Sequence, residues 1–138
     1  MSISDTEIQG LVQAWFSGLN EHRAMVKMMP LLDLKNLHMV FPESTLTTPE
    51  EFENWYRTVT STFFDQDHII EEVSSDIQEN GANVKVTVIW KAHEWKAPAA
   101  FSTRIAMRAA QDWQVVRDEN GQVVIQRYVV NSLTPVES

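Results

Sequence analysis

Four histidines and two tyrosines are the side chains of this sequence best suited to proton transfer. Imidazole is the side chain that titrates near neutrality unperturbed, so His22, His38, His68 and His93 are each a potential acid or base. His68 and His93 fall opposite each other across an expected hairpin, with Asp67 and Glu94 beside them. Two imidazoles and a carboxylate would suit zinc. Adjacent residues on a strand point to opposite faces, however, so those acids are badly aimed and no metal site is expected. The pair reads as a solvated or interface pair. His38 alternates with Met39 and Phe41 and should point away from them, which leaves it a weak candidate base. His22 opens a helical segment and reads as exposed. Among the acids, Glu71 stands out, because the expected register sets it opposite Trp90 on the core face. A carboxylate pointing inward needs a partner or a raised pKa; the plain alternative is an edge position reaching water. Tyr56 and Tyr128 are the inward-facing hydroxyl donors. Arg104 and Arg108 share a strand face and could receive a carboxylate ligand, although a surface ion-pair ladder is the ordinary reading.

The aromatic residues form the second group. Trp15, Phe41, Phe52, Trp55, Tyr56, Trp90, Trp113 and Tyr128 fall mostly on faces assigned to the interior, and five tryptophans is a rich supply for 138 residues. With Met39, Val88 and Met107 they make up the expected ligand-binding set. Large rings around a cavity form an apolar site with few polar groups; the plain alternative is that they simply fill the core.

Three helices and five strands must place these residues. Ile8, Leu11, Val12, Trp15, Phe16 and Leu19 recur at spacings of three and four, which puts them on one helical face. Ser4 or Asp5 can cap that helix, and Asn20 can cap a second running from about Glu21 to Met29, stopped by Pro30. Asn36–Phe41 reads as a strand ended by Pro42. Thr47-Thr48-Pro49-Glu50-Glu51 is a strong helix start, followed by the apolar stripe Phe52, Trp55, Tyr56, Val59 and Phe63. From His68 onward the period becomes two. Glu-Asn-Gly occurs twice, at residues 79–81 and 119–121, and Asn-Gly favours a type I′ hairpin turn. The expected strands are 68–78, 83–95, 101–117 and 122–133, with a turn at Lys96-Ala97-Pro98-Ala99.

A two-residue turn at Asn80-Gly81 puts Ile69, Val73 and Ile77 on the core face with Val84, Val86, Val88 and Trp90. The other face then pairs Asp76 with Lys85, Ser74 with Thr87 and His68 with His93. In the second hairpin Trp113 falls opposite Tyr128, Gln111 opposite Val130 and Val115 near Gln126. Its reverse face carries Val116, Ile125, Val129 and Leu133, which is also apolar. A β-bulge would shift any of these pairings by one. A sheet with one buried face should be polar on the other, so this second apolar surface implies a homodimer through the sheet. A strongly curved sheet folding over its own edge is the alternative.

Composition bounds the rest. The length suits one domain spanning 1–138, and 43% apolar residues supply a core. With 11 basic and 19 acidic residues the net charge is −8, which repels phosphate backbones, and no basic stripe points to nucleic acid. No run approaches the roughly 20 apolar residues of a membrane span. Met1-Ser2-Ile3-Ser4-Asp5 lacks a signal-peptide pattern, so a cytoplasmic location is expected. Without cysteine there is no disulfide, thiol nucleophile or thiolate metal site. Glycine-rich phosphate loops, nucleophile elbows and zinc-helix motifs are missing too, and no cofactor is expected.

The order of several pieces resembles the nuclear transport factor 2-like, or SnoaL-like, superfamily. The pieces are the helix end Trp15–Leu19-Asn20, the strand end Phe41-Pro42, the helix Phe52–Trp55-Tyr56, and Trp113-x-Val115-x-Arg117…Gly121…Tyr128. The resemblance implies a cone-shaped α+β fold, with helices packed on a strongly curved antiparallel sheet, a pocket inside the cone, and a homodimer. In ketosteroid isomerase-like members an aspartate before the first-strand proline is the general base; the matching position here is Phe41. The oxyanion-stabilising tyrosine falls on Trp15, and the strand bearing Thr103, Ile105 and Met107 lacks the second acid. The isomerase apparatus is therefore not carried over. The expected function is binding of a small, mainly apolar organic molecule, oriented by Tyr56, Tyr128 and Trp15. One alternative is a cofactor-free isomerase, dehydratase or cyclase with Glu71 or a histidine as base; another is a protein-binding module.

Overall fold

The computed structural model describes residues 3–95 and 98–136. Helix α1 (Asp5–Glu21) starts at Ser4, whose hydroxyl accepts from the Glu7 N–H while Glu7 reaches back to the Ser4 N–H. This capping box satisfies two orphan donors of the first turn. Glu7 is further clasped by Arg117 at 2.8 Å, and these bonds hold its carboxyl below the usual range. The apolar stripe expected for α1 is buried throughout. Helix α2 is only Met25–Met28, followed by a 3₁₀ turn at Met29–Leu31 that accommodates Pro30. The expected second helix is thus shorter, and Asn20 does not cap it. Instead His22, in the left-handed region at φ 51°, closes α1.

Strands β1 (His38–Val40) and β2 (Thr45–Leu46) form a small hairpin. Helix α3 (Pro49–Thr62) is capped by Thr48, as its sequence predicts. Four long strands follow: β3 (Phe63–Gln78), β4 (Gly81–Glu94), β5 (Thr103–Arg117) and β6 (Val123–Pro135). β3 starts directly at the end of α3, five residues earlier than the alternation suggests. Of the expected Lys96–Ala99 turn, Lys96 and Ala97 lie outside the described residues. The six strands form one curved sheet in the order β2-β1-β6-β5-β4-β3, antiparallel except for β1 beside β6. The fold is α+β, with the helices on the concave face. One core joins α1 residues Trp15 and Phe16 to Met39, Phe52, Val86, Trp113 and Tyr128.

Both hairpin turns differ from the Asn-Gly expectation. The first has Glu79-Asn80 at its centre, pairing Gln78 with Gly81, and neither central residue has positive φ. Gly81 belongs to the strand instead: a Cβ there would lie 2.6 Å from the Val115 carbonyl oxygen. In the second, the Asp118 carboxylate accepts from the N–H groups of Asn120 and Gln122, and Gly121 takes φ 81°. Asp118 thus organises a longer loop with a left-handed glycine rather than a two-residue turn.

Bulges rearrange the register. In β3 the pairs Ile70–Val88 and Glu72–Thr87 leave Glu71 as an extra residue, and a second irregularity lies between Phe64 and Asp67. One extra residue reverses which face the preceding residues occupy. Ile70 and His68 therefore turn to the concave side, His68 opposite Trp90, whereas Ile69 points outward, against expectation. Asp76 pairs with Asn83 and Ser74 with Lys85. On β6, Trp113–Tyr128 and Gln111–Val130 pair as predicted. Bulges at Gln126 and Asn131 bring Ile125 opposite Val115 and Leu133 opposite Ala109, so both leave the outer face assigned to them.

Candidate functional site

A cavity of about 660 Å³ opens between α3, the segment 41–46 and the concave face of β3–β6. Its walls carry Phe41, Trp55, Phe63, Val88, Trp90 and Tyr128, with Leu19, Leu46, Val59, Ala109, Val130 and Leu133. Phe41 stacks on Trp55 with centroids 4.4 Å apart, and Trp55 lies parallel to Trp15 beneath it. Phe63 meets Trp90 edge to face. Pro42, Glu43, Thr45, Glu51 and Asn54 form the exposed lip. The Glu51 carboxylate accepts from the N–H and the hydroxyl of Thr47, bonds that keep it below the usual range and ionised.

Of the expected ligand-binding set, Phe41, Trp55, Val88, Trp90 and Tyr128 line this cavity. Trp15, Met39, Phe52 and Trp113 lie in the core behind that wall, and Met107 sits opposite Trp90 in register without lining it. Tyr56 is also buried, and its hydroxyl donates to the Arg23 carbonyl at 2.6 Å, so it fastens α3 to the end of α1 rather than facing a ligand. Trp15 Nε1 donates to the Tyr128 hydroxyl at 3.3 Å. Burial holds the Tyr128 phenol well above its ordinary pKa, so it stays a neutral group.

Glu71 is not on the core face. As the extra residue of its bulge it turns outward and grips Arg108 through two bonds, at 2.7 and 3.1 Å. Arg108 holds its carboxyl below the ordinary range. Neither an inward base nor a free guanidinium is formed there. His38 lies on β1 in register with Arg127, alternating with buried Met39. His93 faces Phe64 rather than His68, with Nδ1 3.8 Å from Asp65. No cluster of metal-ligating side chains occurs among the described residues.

His68 is the titratable group that the register change brings into the cavity. Its ring stacks on Phe16 at 5.0 Å, and its Nδ1 lies 2.6 Å from Asn20 Oδ1. An amide oxygen only accepts, so Nδ1 carries the proton and Nε2 keeps a free lone pair. Desolvation lowers the imidazole pKa to about 3, leaving it neutral at physiological pH. Next to it, buried Gln66 accepts from Trp90 Nε1 at 3.1 Å and donates to His22 Nε2 at 2.9 Å. Asn20 and His22, at the end of α1, thus hold the two bulge-positioned side chains of β3. Gln111 accepts from Trp113 Nε1 at 2.9 Å. Trp55 Nε1 is buried without a hydrogen-bond partner among the described residues. Asn20, Gln66 and Gln111 escape a sequence reading centred on acids and bases; inward amides on an apolar face were the available signal.

No protein-family model matches the chain, and no curated protein matches it in sequence. Solved structures do match it in shape. A nuclear transport factor 2-like superfamily protein from Salmonella enterica serovar Typhimurium aligns with TM-score 0.76 and 14% identity, over 96% of this chain and 92% of its own. A hexachlorocyclohexane dehydrochlorinase, LinA type 2, aligns with TM-score 0.78 and 13% identity, over 96% and 88%. A ketosteroid isomerase-like protein from Erwinia carotovora atroseptica gives 0.72 and 15%, over 96% of each chain. The fold is therefore the nuclear transport factor 2-like fold expected from the sequence.

Proposed function

We propose that this protein binds a small, mainly apolar organic molecule inside its cone. The observation that carries this reading is the 660 Å³ cavity walled by Phe41, Trp55, Phe63 and Trp90. That volume lies within the range of small-molecule sites, and rings plus a few fixed polar groups are their usual lining. Nile red, a neutral apolar dye, serves as the test. Saturable one-to-one binding is expected, weakened at least about tenfold by Val59→Trp, whose indole would intrude into the cavity. Absence of saturable binding, or equal binding to a folded Val59→Trp protein, would refute the reading.

A second reading, a cofactor-free isomerase, dehydratase or cyclase, draws support from the oriented His68 and from neighbours named as a dehydrochlorinase and a ketosteroid isomerase-like protein. Binding is favoured over it on electrostatic grounds. Asn20 is neutral and gives a protonated imidazole no counter-charge, and a base with pKa about 3 has little driving force to take a proton at pH 7. Glu71, the expected carboxylate base, is outside the cavity.

A further inference from the structure

We propose that the cavity selects uncharged molecules bearing a hydroxyl or N–H donor, which they give to Nε2 of His68, and that it excludes carboxylates. This deepens the binding proposal and rests on it. The bond from Nδ1–H to Asn20 fixes the tautomer, and stacking on Phe16 fixes the ring plane. Nε2 is then an oriented acceptor with no partner among the described residues. Three inward indoles are spent on neighbouring side chains, Trp90 on Gln66, Trp113 on Gln111 and Trp15 on Tyr128, while Trp55 Nε1 is buried without a partner among the described residues. A ligand that gives His68 a proton donor satisfies an acceptor otherwise left to water, whereas a plain hydrocarbon leaves it unpaired.

Charge sets the second half of the preference. No lysine or arginine is among the lining residues described, and the ionisable acids there are Glu43 and Glu51, at the lip. His68 is neutral at physiological pH and supplies no positive charge. A carboxylate entering this cavity would lose its water and meet no cation, with two glutamates at the entrance opposing it.

Three probes of one ring system separate these effects: naphthalene, 2-naphthol and 2-naphthoate, measured by titration calorimetry at pH 7. The expected order is 2-naphthol tightest, by about fivefold over naphthalene, the worth of one neutral hydrogen bond. 2-Naphthoate is expected to be weaker than 2-naphthol by more than about tenfold. In His68→Phe the advantage of 2-naphthol over naphthalene should disappear while naphthalene still binds. Should that variant not fold, the wild-type order alone decides. 2-Naphthol no tighter than naphthalene, or 2-naphthoate as tight as 2-naphthol, overturns this inference and leaves the binding proposal standing. If none of the three binds, both fall.

Discussion

His68 shows how much a single side chain's surroundings decide. Its type was legible as a possible acid or base, but its role depends on three neighbours: Asn20 fixing the tautomer, Phe16 fixing the plane, and the bulge at Glu71 fixing the face. Burial depresses its pKa from 6.5 to about 3, so between those values the unfolded chain binds a proton that the folded protein refuses. Its contribution to stability is therefore complete above pH 6.5 and is lost as pH falls from there toward 3, at up to about 1.4 kcal/mol per pH unit. Urea unfolding from pH 7 to pH 4 should show this slope in the wild type, reduced by about that amount in His68→Phe. Equal slopes in the two proteins would mean that His68 is solvated. Glu71 makes the opposite point: a carboxylate assigned inward from strict alternation ends outside, paired with Arg108, because it is the residue that breaks the alternation.

Elements with strong local signals were readable; register was readable between Gln111–Val130 and Trp113–Tyr128 and was lost at the bulges. The stripe and capping box of α1, and the Thr-Pro-Glu-Glu start of α3, state their structure within a few residues of chain. Strand existence was equally plain from the period of two. A bulge, by contrast, is decided by what the inserted residue can bond across the sheet: Arg108 for Glu71, Asp33 for Gln126, Asp112 for Asn131. Those partners lie 37, 93 and 19 residues away and have no local signature. The same holds for the Asn-Gly pair at Asn80-Gly81, where the glycine is required for close approach to Val115 rather than for positive φ. Gly81→Ala should then destabilise the fold by about 1–3 kcal/mol, since a backbone oxygen 2.6 Å from the new Cβ must move. Chemical denaturation measures it; a change under about 0.5 kcal/mol would show that the strands separate freely there.

At the scale of the whole molecule, the sheet divides two tasks. Its concave side holds the core and the cavity; its convex side carries Ile69, Ile89, Val116 and Val129, with the Glu71–Arg108 pair. With Ile125 and Leu133 turned inward, that outer surface is less apolar than the alternating pattern suggests. We propose that it still pairs two copies of the chain, with half-exposed Ile69 on its β3 edge. Sedimentation equilibrium should give twice the chain mass, and a single-chain mass at micromolar concentration would exclude the dimer.

The cone's tryptophans offer the most direct test of ligand binding. Trp55 and Trp90 line the cavity, Trp15 and Trp113 lie in the core, and Trp95 is exposed outside it. A titration of 15N-labelled protein with 2-naphthol, followed through the indole N–H resonances, should shift Trp55 and Trp90 along one saturable curve and leave Trp95 in place. Indole signals that do not move, or a Trp95 shift as large as those of Trp55 and Trp90, would contradict a binding site inside the cone.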